Sequence, residues 1–444
     1  MTPVYLLIEE VNRELLSRQL IGREACNLGH PVVIGQQWWI TDNLHNLKPG
    51  VVLFKGNNRY QAQFMAQAKR AGHRTASLDE ESFVSSSDLE IAAQYHPMVA
   101  ENCDLILVQG EFQRDVVKSR LPTAHDRISL VGNPRGDILS RRAFLFRDPV
   151  VEKYCDAHGD YILVNTNFTH INPRQGDTYS HFELCRRAGV LDVPNYHPLD
   201  WFLDGCKWQR ENLQTLVALI EACQERFCEL RIVIRPHPSE RSEVWHKQFE
   251  GVDGIDVIGE GDHLAWISGA RLMLHSGCST GLEAFLLGVP AISLTPGDKW
   301  WNVGVLSNLV NYLAENSAEA LSIAERLLAD REACDTERLQ LEAKLEHYLI
   351  AFGDEGAAAR IANALGALAS TRSWPKIERG QHKALDRGTS ARMARKAHVS
   401  LQEFNRRFDM INTALGQTMN AECREIGPSV FQLSDQDRKF TDLI

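Results

Sequence analysis

No stretch of the 444 residues approaches the ~18 consecutive apolar residues of a membrane-crossing helix. No helical span is therefore expected. The start, MTPVYLLIEEVNRE, has no basic segment before its apolar residues, and acids follow at once. It reads as a first strand rather than a secretory leader. The ten cysteines include no Cys-x-x-Cys pair, which argues against a zinc framework and a disulfide scaffold. Free thiols in a cytoplasmic protein are the simple reading. Positive charge is also short: 48 Lys and Arg face 58 Asp and Glu, a net charge of −10. No global attraction for nucleic acid follows from such a balance. Internal repeats and low-complexity tracts are absent.

What remains is an ordinary globular composition, 44% hydrophobic and 24% charged, long enough for two or three domains. Two stretches organise it. In the first, residues 275–292, HSGCSTGLEAFLLGVPAI, an apolar strand runs into a Ser/Gly turn, a short helix and another strand. Such a turn offers backbone N–H groups, with Ser276, Ser279 and Thr280, to an anion at a helix N-terminus. Glu283 falls in the first helical turn. The alternative is a plain capped turn of a parallel sheet. In the second, the strand LRIVI ends in RPHPSE, residues 235–240. Prolines hold His237 extended beside Arg235. Ligands of open α/β sheets sit outside the carboxyl ends of strands, so the pair suggests a nucleotide-phosphate site. A turn histidine bonded to backbone is the competing reading.

RPHPSE together with HSGCSTGLEAFLLGVP resembles the donor half of bacterial GT-B glycosyltransferases that use CMP-activated sugars. In that family a His-Pro motif and a later Ser-Ser/Thr motif hold the nucleotide. YLLIEEVNRELLSRQLIGREA, VVLFKGNN, SLDEES, VGNPRGDIL and YILVNTNF resemble bacterial surface carbohydrate biosynthesis proteins. Those are similar to the retaining β-Kdo transferase modules of O-antigen and capsule synthesis. The likeness covers roughly residues 4–365. It implies an α/β fold of GT-B type, two Rossmann-like domains facing a cleft, and transfer of Kdo from CMP-Kdo to a glycan or lipid-linked glycan acceptor. It implies no cofactor beyond the CMP-sugar substrate. Residues 1–370 hold no Asp-x-Asp motif of the metal-dependent type, and a single-phosphate leaving group needs metal less, so no essential metal is expected. The rivals are another nucleotide sugar, an epimerase of related fold, or an idle GT-B module that scaffolds an assembly complex.

Strands alternating with helices predict a doubly wound parallel sheet in residues 1–145, the acceptor domain. A linker over 140–159 and a second βα series lead to a donor domain, residues 146–370, with bracing helices. Its long helix is expected over 208–227. Residues 371–400 hold eight Lys/Arg and two Asp/Glu, a balance of +6. With an amphipathic helix over 400–415 they predict a helical appendage, 371–444. Its charge marks a solvated arm or a contact with an anionic membrane surface or a partner protein. The expected location is the cytoplasm, with peripheral attachment to the inner face of the membrane through this arm.

Strand ends of the first half supply Glu9, Glu10, Lys55, Asn57, Asp79, Glu80 and Glu81. Carboxylates there bind sugar hydroxyls, act as a general base or cap helices. The resemblance assigns Glu10, Lys55, Asp79 and Glu81 to the acceptor and keeps Glu80 as the base of an inverting reaction. Asn133 marks a turn at the domain edge. Asn165 and Asn167 orient the donor or satisfy local backbone. A retaining transfer needs a carboxylate nucleophile, and Asp177, Asp192, Asp200 and Asp204 are the candidates. Asp204 leads, from apolar surroundings that would raise its pKa, with Asp200 second. The alternative for Asp204 is a helix N-cap.

Overall fold

The computed structural model describes residues 1–83, 85–140, 146–188, 191, 193, 196–297, 301–302, 304–350, 356–371, 373–377, 398–416, 421–435 and 443. The chain divides into two compact units. The first comprises Met1–Phe83, Gln94–Phe144 and Glu346–Ile444, and the second Val84–Ala93 and Leu145–Leu345.

The first unit holds strands β1 (Val4–Ile8), β2 (Val32–Gln36), β3 (Val51–Phe54), β4 (Arg74–Leu78), β5 (Leu105–Val108) and β6 (Ile128–Leu130). The apolar runs of β1 to β5 are buried on both faces, as a covered parallel sheet requires, and β6 at the edge is half-buried. The second unit holds β7 (Tyr161–Asn165), β8 (Arg231–Arg235), β9 (Ile255–Val257), β10 (Leu272–His275), β11 (Ala291–Leu294) and β12 (Tyr312–Ala314). All its pairings are parallel, in the order β12-β11-β10-β7-β8-β9. Strand order reverses between β7 and β10, so the crevice beyond their carboxyl ends is the topological switch point. In the first sheet the same reversal falls between β1 and β3.

The tail departs from expectation. β13 (Ala421–Gly427) and β14 (Val430–Asp435) form a hairpin, and β14 pairs antiparallel with β2. The first sheet therefore runs β13-β14-β2-β1-β3-β4-β5-β6. Gly35 permits this approach, because a Cβ there would lie 2.6 Å from Val430 Cα and 2.7 Å from the Ser429 oxygen. The helix Leu401–Leu415 packs on the helix Val11–Asn27. Gln19 Nε2 donates to the Phe404 carbonyl at 2.7 Å, and the Phe404 and Phe431 rings meet at 4.3 Å. Residues 398–416 and 421–435 are thus part of the first unit and not a helical appendage, because they cover polar positions of the first helix. Most of the basic stretch, 378–397, lies outside the described residues.

Three boundaries also move. The helix Ala357–Ala369, counted with the donor domain but expected to cross back onto the first, packs on Val11–Asn27. Its first amides, Ala357 and Ala358, donate to the Asp137 carboxylate at 2.9 and 2.8 Å. Residues 84–93 group with the second unit, where the Ser86 amide donates to the Gly304 carbonyl. The expected linker contains a helix, Pro149–His158, capped by Asp148.

Candidate functional site

Each unit carries a polar layer at its strand ends. In the second, the turn after β10 begins with His275, fully buried, whose Nε2 lies 2.8 Å from Asn311 Oδ1. The Cys278 amide donates to His275 Nδ1 at 3.3 Å, which leaves the ring proton on Nε2. Burial pushes the His275 imidazole down to about 4, so it stays neutral. Gly281 makes room for this pair, since a Cβ would sit 2.3 Å from both His275 Nε2 and Asn311 Oδ1. Ser276 is 1% exposed, and its Oγ has no hydrogen-bond partner among the described residues. Ser279 and Thr280 are half-buried at the start of the helix Thr280–Leu287. Glu283 is buried, with His263 Nε2 3.4 Å from its Oε2.

The neighbouring turns, after β7 and β8, are tied together by a residue that sequence reasoning passed over. Glu240, 3% exposed, accepts from Thr166 Oγ1 at 2.8 Å, from the Phe168 amide at 2.9 Å and from Trp245 Nε1 at 2.9 Å. Thr166 Oγ1 in turn accepts the His237 amide at 3.1 Å. His237 Nδ1 accepts the Ser239 amide at 3.1 Å, which makes Nε2–H the ring's donor. A ring fixed in that tautomer can give a proton bond to a phosphate oxygen. The acid that closes RPHPSE was the available signal for Glu240.

Arg235 is committed elsewhere. Its guanidinium donates to the carbonyls of Glu260 and Gly261 at 2.5 and 3.1 Å and lies over the Trp266 ring. This side chain organises the 259–261 loop, contrary to its expected phosphate role. Asn165 is buried with Nδ2 3.7 Å from Met273 Sδ, and Asn167 is half-buried.

Asp204 is exposed, not buried. The long helix runs Pro198–Arg226, ten residues earlier than expected, so Asp204 lies inside it and is not its N-cap. The anticipated burial is absent. Asp200, in the first turn, is exposed as well, as is Asp177. Asp192 lies outside the described residues. Asp204 Oδ2 accepts from Trp301 Nε1 at 2.8 Å. Trp301 stacks on Trp208 at 6.1 Å, and a Cβ on Gly277 would meet the Trp208 ring at 3.0 Å. A tryptophan shelf thereby links Asp204 to the 276–280 turn.

In the first unit, Lys55 Nζ bridges Glu9 at 2.6 Å and Glu14 at 3.0 Å. Glu14 also accepts the amides of Glu9 and Glu10. Burial pushes the Glu14 carboxyl up, but the charges of Lys55 and Arg18 outweigh it and hold it low. Glu80 is buried with Arg18 Nη1 2.6 Å away and Ser17 donating at 3.0 Å. Burial wins there and raises the Glu80 carboxyl despite Arg18. Asp79 is buried beside it, and the Glu81 side chain lies outside the described residues. Asn133, fully buried, donates to Gln109 Oε1 at 3.0 Å and accepts the Arg135 amide. It is a structural turn residue. Glu14, Ser17 and Arg18 escaped notice because they lie inside a helix of mixed polarity. Among the described residues no three His, Cys, Asp or Glu side chains group as a metal site requires.

Two sheets built on parallel strands and covered by helices are a fold that solved structures share with this chain. A UDP-N-acetylglucosamine 2-epimerase aligns with TM-score 0.55 and 14% identity, over 86% of this chain and 99% of the other. The Methanocaldococcus jannaschii UDP-GlcNAc 2-epimerase aligns with TM-score 0.51 and 16% identity, over 83% of this chain and 100% of the other. The chain has a two-domain GT-B fold. No family model and no curated protein matches it. Among the described residues no helix is long and apolar enough to cross a membrane.

Proposed function

We propose that the chain is a cytoplasmic GT-B glycosyltransferase of bacterial surface-polysaccharide synthesis, moving Kdo from CMP-Kdo to a glycan or lipid-linked glycan acceptor. The observation that carries a nucleotide-sugar reading lies at the second sheet's switch point. Ser276 Oγ is buried without a partner among the described residues, the helix Thr280–Leu287 opens beside it, and His237 stands on the next turn but one with its tautomer set. Buried polar atoms are nearly always satisfied, so Ser276 argues for a ligand oxygen. The N–H groups and dipole of the helix favour an anion there. The choice of CMP-Kdo rests on the motif resemblance alone.

In the proposed reaction a carboxylate attacks the anomeric carbon as the bond to the CMP oxygen breaks. CMP leaves with the electron pair. The acceptor hydroxyl then displaces the carboxylate and gives up its proton to a base. We assign the attack to Asp204, with Asp200 as its alternate. The Trp301 indole orients one Asp204 oxygen. Should the product be inverted, Glu80 is the base, its carboxyl raised by burial. His237, Ser276, Ser279 and Thr280 would hold the nucleotide, Glu283 and the Asn165–Asn167 turn would shape the donor pocket, and Glu10, Lys55, Asp79 and Glu81 would serve the acceptor.

A second reading follows from the structural neighbours, which are UDP-GlcNAc 2-epimerases. Calorimetric titration with CMP and UDP separates the two. CMP binding, followed by Kdo transfer from CMP-Kdo to a synthetic glycan acceptor in mass spectrometry, supports the transferase. Binding of UDP alone, with a free pool of interconverted UDP-sugar, supports the epimerase. Failure to bind either nucleotide leaves a scaffold.

A further inference from the structure

At the switch point of the first sheet, a buried amide has nothing to bond among the described residues. Asn57 follows β3, between the turns after β1 and β4, and is 1% exposed. Neither its Oδ1 nor its Nδ2 has a hydrogen-bond partner among the described residues. Its backbone is fixed, since its carbonyl accepts the His96 amide at 2.9 Å. One helical turn on, Gln61 gives its Nε2–H to Gln37 Oε1 at 3.1 Å and leaves its own buried Oε1 without a partner. Three orphan polar atoms on one turn mark a place filled by water or a ligand. The turn has room: a Cβ on Gly56 would meet only Gln61 Cγ, at 4.0 Å.

The surrounding charge narrows the ligand. Glu9, Glu10 and Glu14 stand on the β1 side, Asp79 and Glu80 on the β4 side. Lys55 is matched by Glu9 and Glu14, and Arg18 by Glu80. An incoming anion would meet an acidic layer whose cations are already paired. An amide offers donors and an acceptor, the complement of two adjacent hydroxyls.

We propose that Asn57 and Gln61 form a subsite for a neutral, polyhydroxylated sugar unit of the acceptor, and that sugars carrying carboxylate or phosphate are turned away. The proposal rests on the transferase reading for the word acceptor, and its test does not. Methyl β-glucoside, methyl β-galactoside and methyl β-glucuronide are titrated onto the full chain by ligand-observed NMR. Both neutral glycosides should saturate, with the glucuronide at least tenfold weaker. Asn57→Leu and Gly56→Val should each weaken the neutral glycosides at least tenfold while CMP or UDP binding is unchanged. Asn57→Leu should also leave Tm unchanged or raise it, because an unsatisfied buried amide is removed. Equal sugar binding by the variants, no saturation by either neutral glycoside, or preference for the glucuronide overturns the subsite. A lowered Tm in Asn57→Leu with sugar binding retained in Gly56→Val does so too, and leaves Asn57 a structural residue holding water. Sugar binding at Asn57 with no nucleotide bound anywhere would instead sink the transferase reading and leave the subsite standing.

Discussion

Glu240→Gln tests how the turns after β7 and β8 are held. The wild-type carboxylate receives two donors on Oε1, from Thr166 and Phe168, and one on Oε2, from Trp245. A glutamine can keep the first two on its oxygen. Its NH2 then faces the Trp245 indole N–H, donor against donor. The loss is one hydrogen bond to a charged group, about 1.5–3 kcal/mol. In a unit of 150–250 residues each kcal/mol lowers Tm by about 2–4 °C, so a fall of about 3–12 °C is expected. Trp245→Phe removes the opposing donor. The double variant should therefore recover a large part of the loss, a coupling that a double-mutant cycle reads directly. Nucleotide affinity should fall less than in His237→Ala, since Thr166 still accepts the His237 amide. Additive single effects, or a Tm within 1 °C of wild type in Glu240→Gln, would refute the three-donor account.

Four other outcomes are expected. His275 and His73 are both buried and neutral, pushed down to about 4 by burial. The unfolded chain takes up these protons near pH 6.5, so stability is full above that pH and falls toward pH 4, by roughly 3 kcal/mol per histidine. His275→Gln should flatten the slope of unfolding free energy against pH by about one proton. Gly281→Ala drives a methyl into His275 and Asn311 and should cost about 1–3 kcal/mol or more by overpacking, seen as a lower denaturant midpoint. Truncation after Ser370 strips β13 and β14 from β2 and Phe404 from the first helix, so it should yield insoluble protein; a soluble, monomeric, cooperatively melting product would contradict the sheet order. Asp204→Asn should preserve nucleotide binding and abolish transfer, and full activity by product mass spectrometry would dismiss Asp204 as the nucleophile.

The parallel core was legible because its strands are short unbroken apolar runs. Sequences such as YLLI, VVLF, YILV and LMLH sit between Gly/Pro signals, and all are strands. The turn after β10 was legible for the same reason, strand followed by Gly/Ser turn and helix. The hairpin AECREIG–VFQLSD was not. Its first strand alternates charges, and only pairing with β14, itself held on β2, makes it a strand, which is a tertiary effect. The helix Val11–Asn27 misled in the opposite sense. Ser17, Arg18, Gln19 and Arg23 are the polar face of an amphipathic pattern, yet all are buried, because residues far along the chain cover them. Asp204 was misjudged by neighbours: Trp201, Phe202 and Leu203 promised burial, but helical phase turns Leu203 and Asp204 outward while Phe202 is buried.

The return of the chain's last strands to β2 has a consequence for synthesis. The ribosome delivers Met1–Phe83 first, with β2 already present and its partner strand more than three hundred residues away. The second unit, all but Val84–Ala93 of it one continuous segment, Leu145–Leu345, can close while translation is still under way. The first unit cannot, because Phe404, Phe431 and β14 emerge only after the second unit. Until then the outer edge of β2 is an open strand, a template for pairing with a neighbouring nascent chain on the same message. Yield in the cell should thus depend on how promptly the codons for residues 398–435 are read, and slow codons there should raise the aggregated fraction without changing the protein that escapes it.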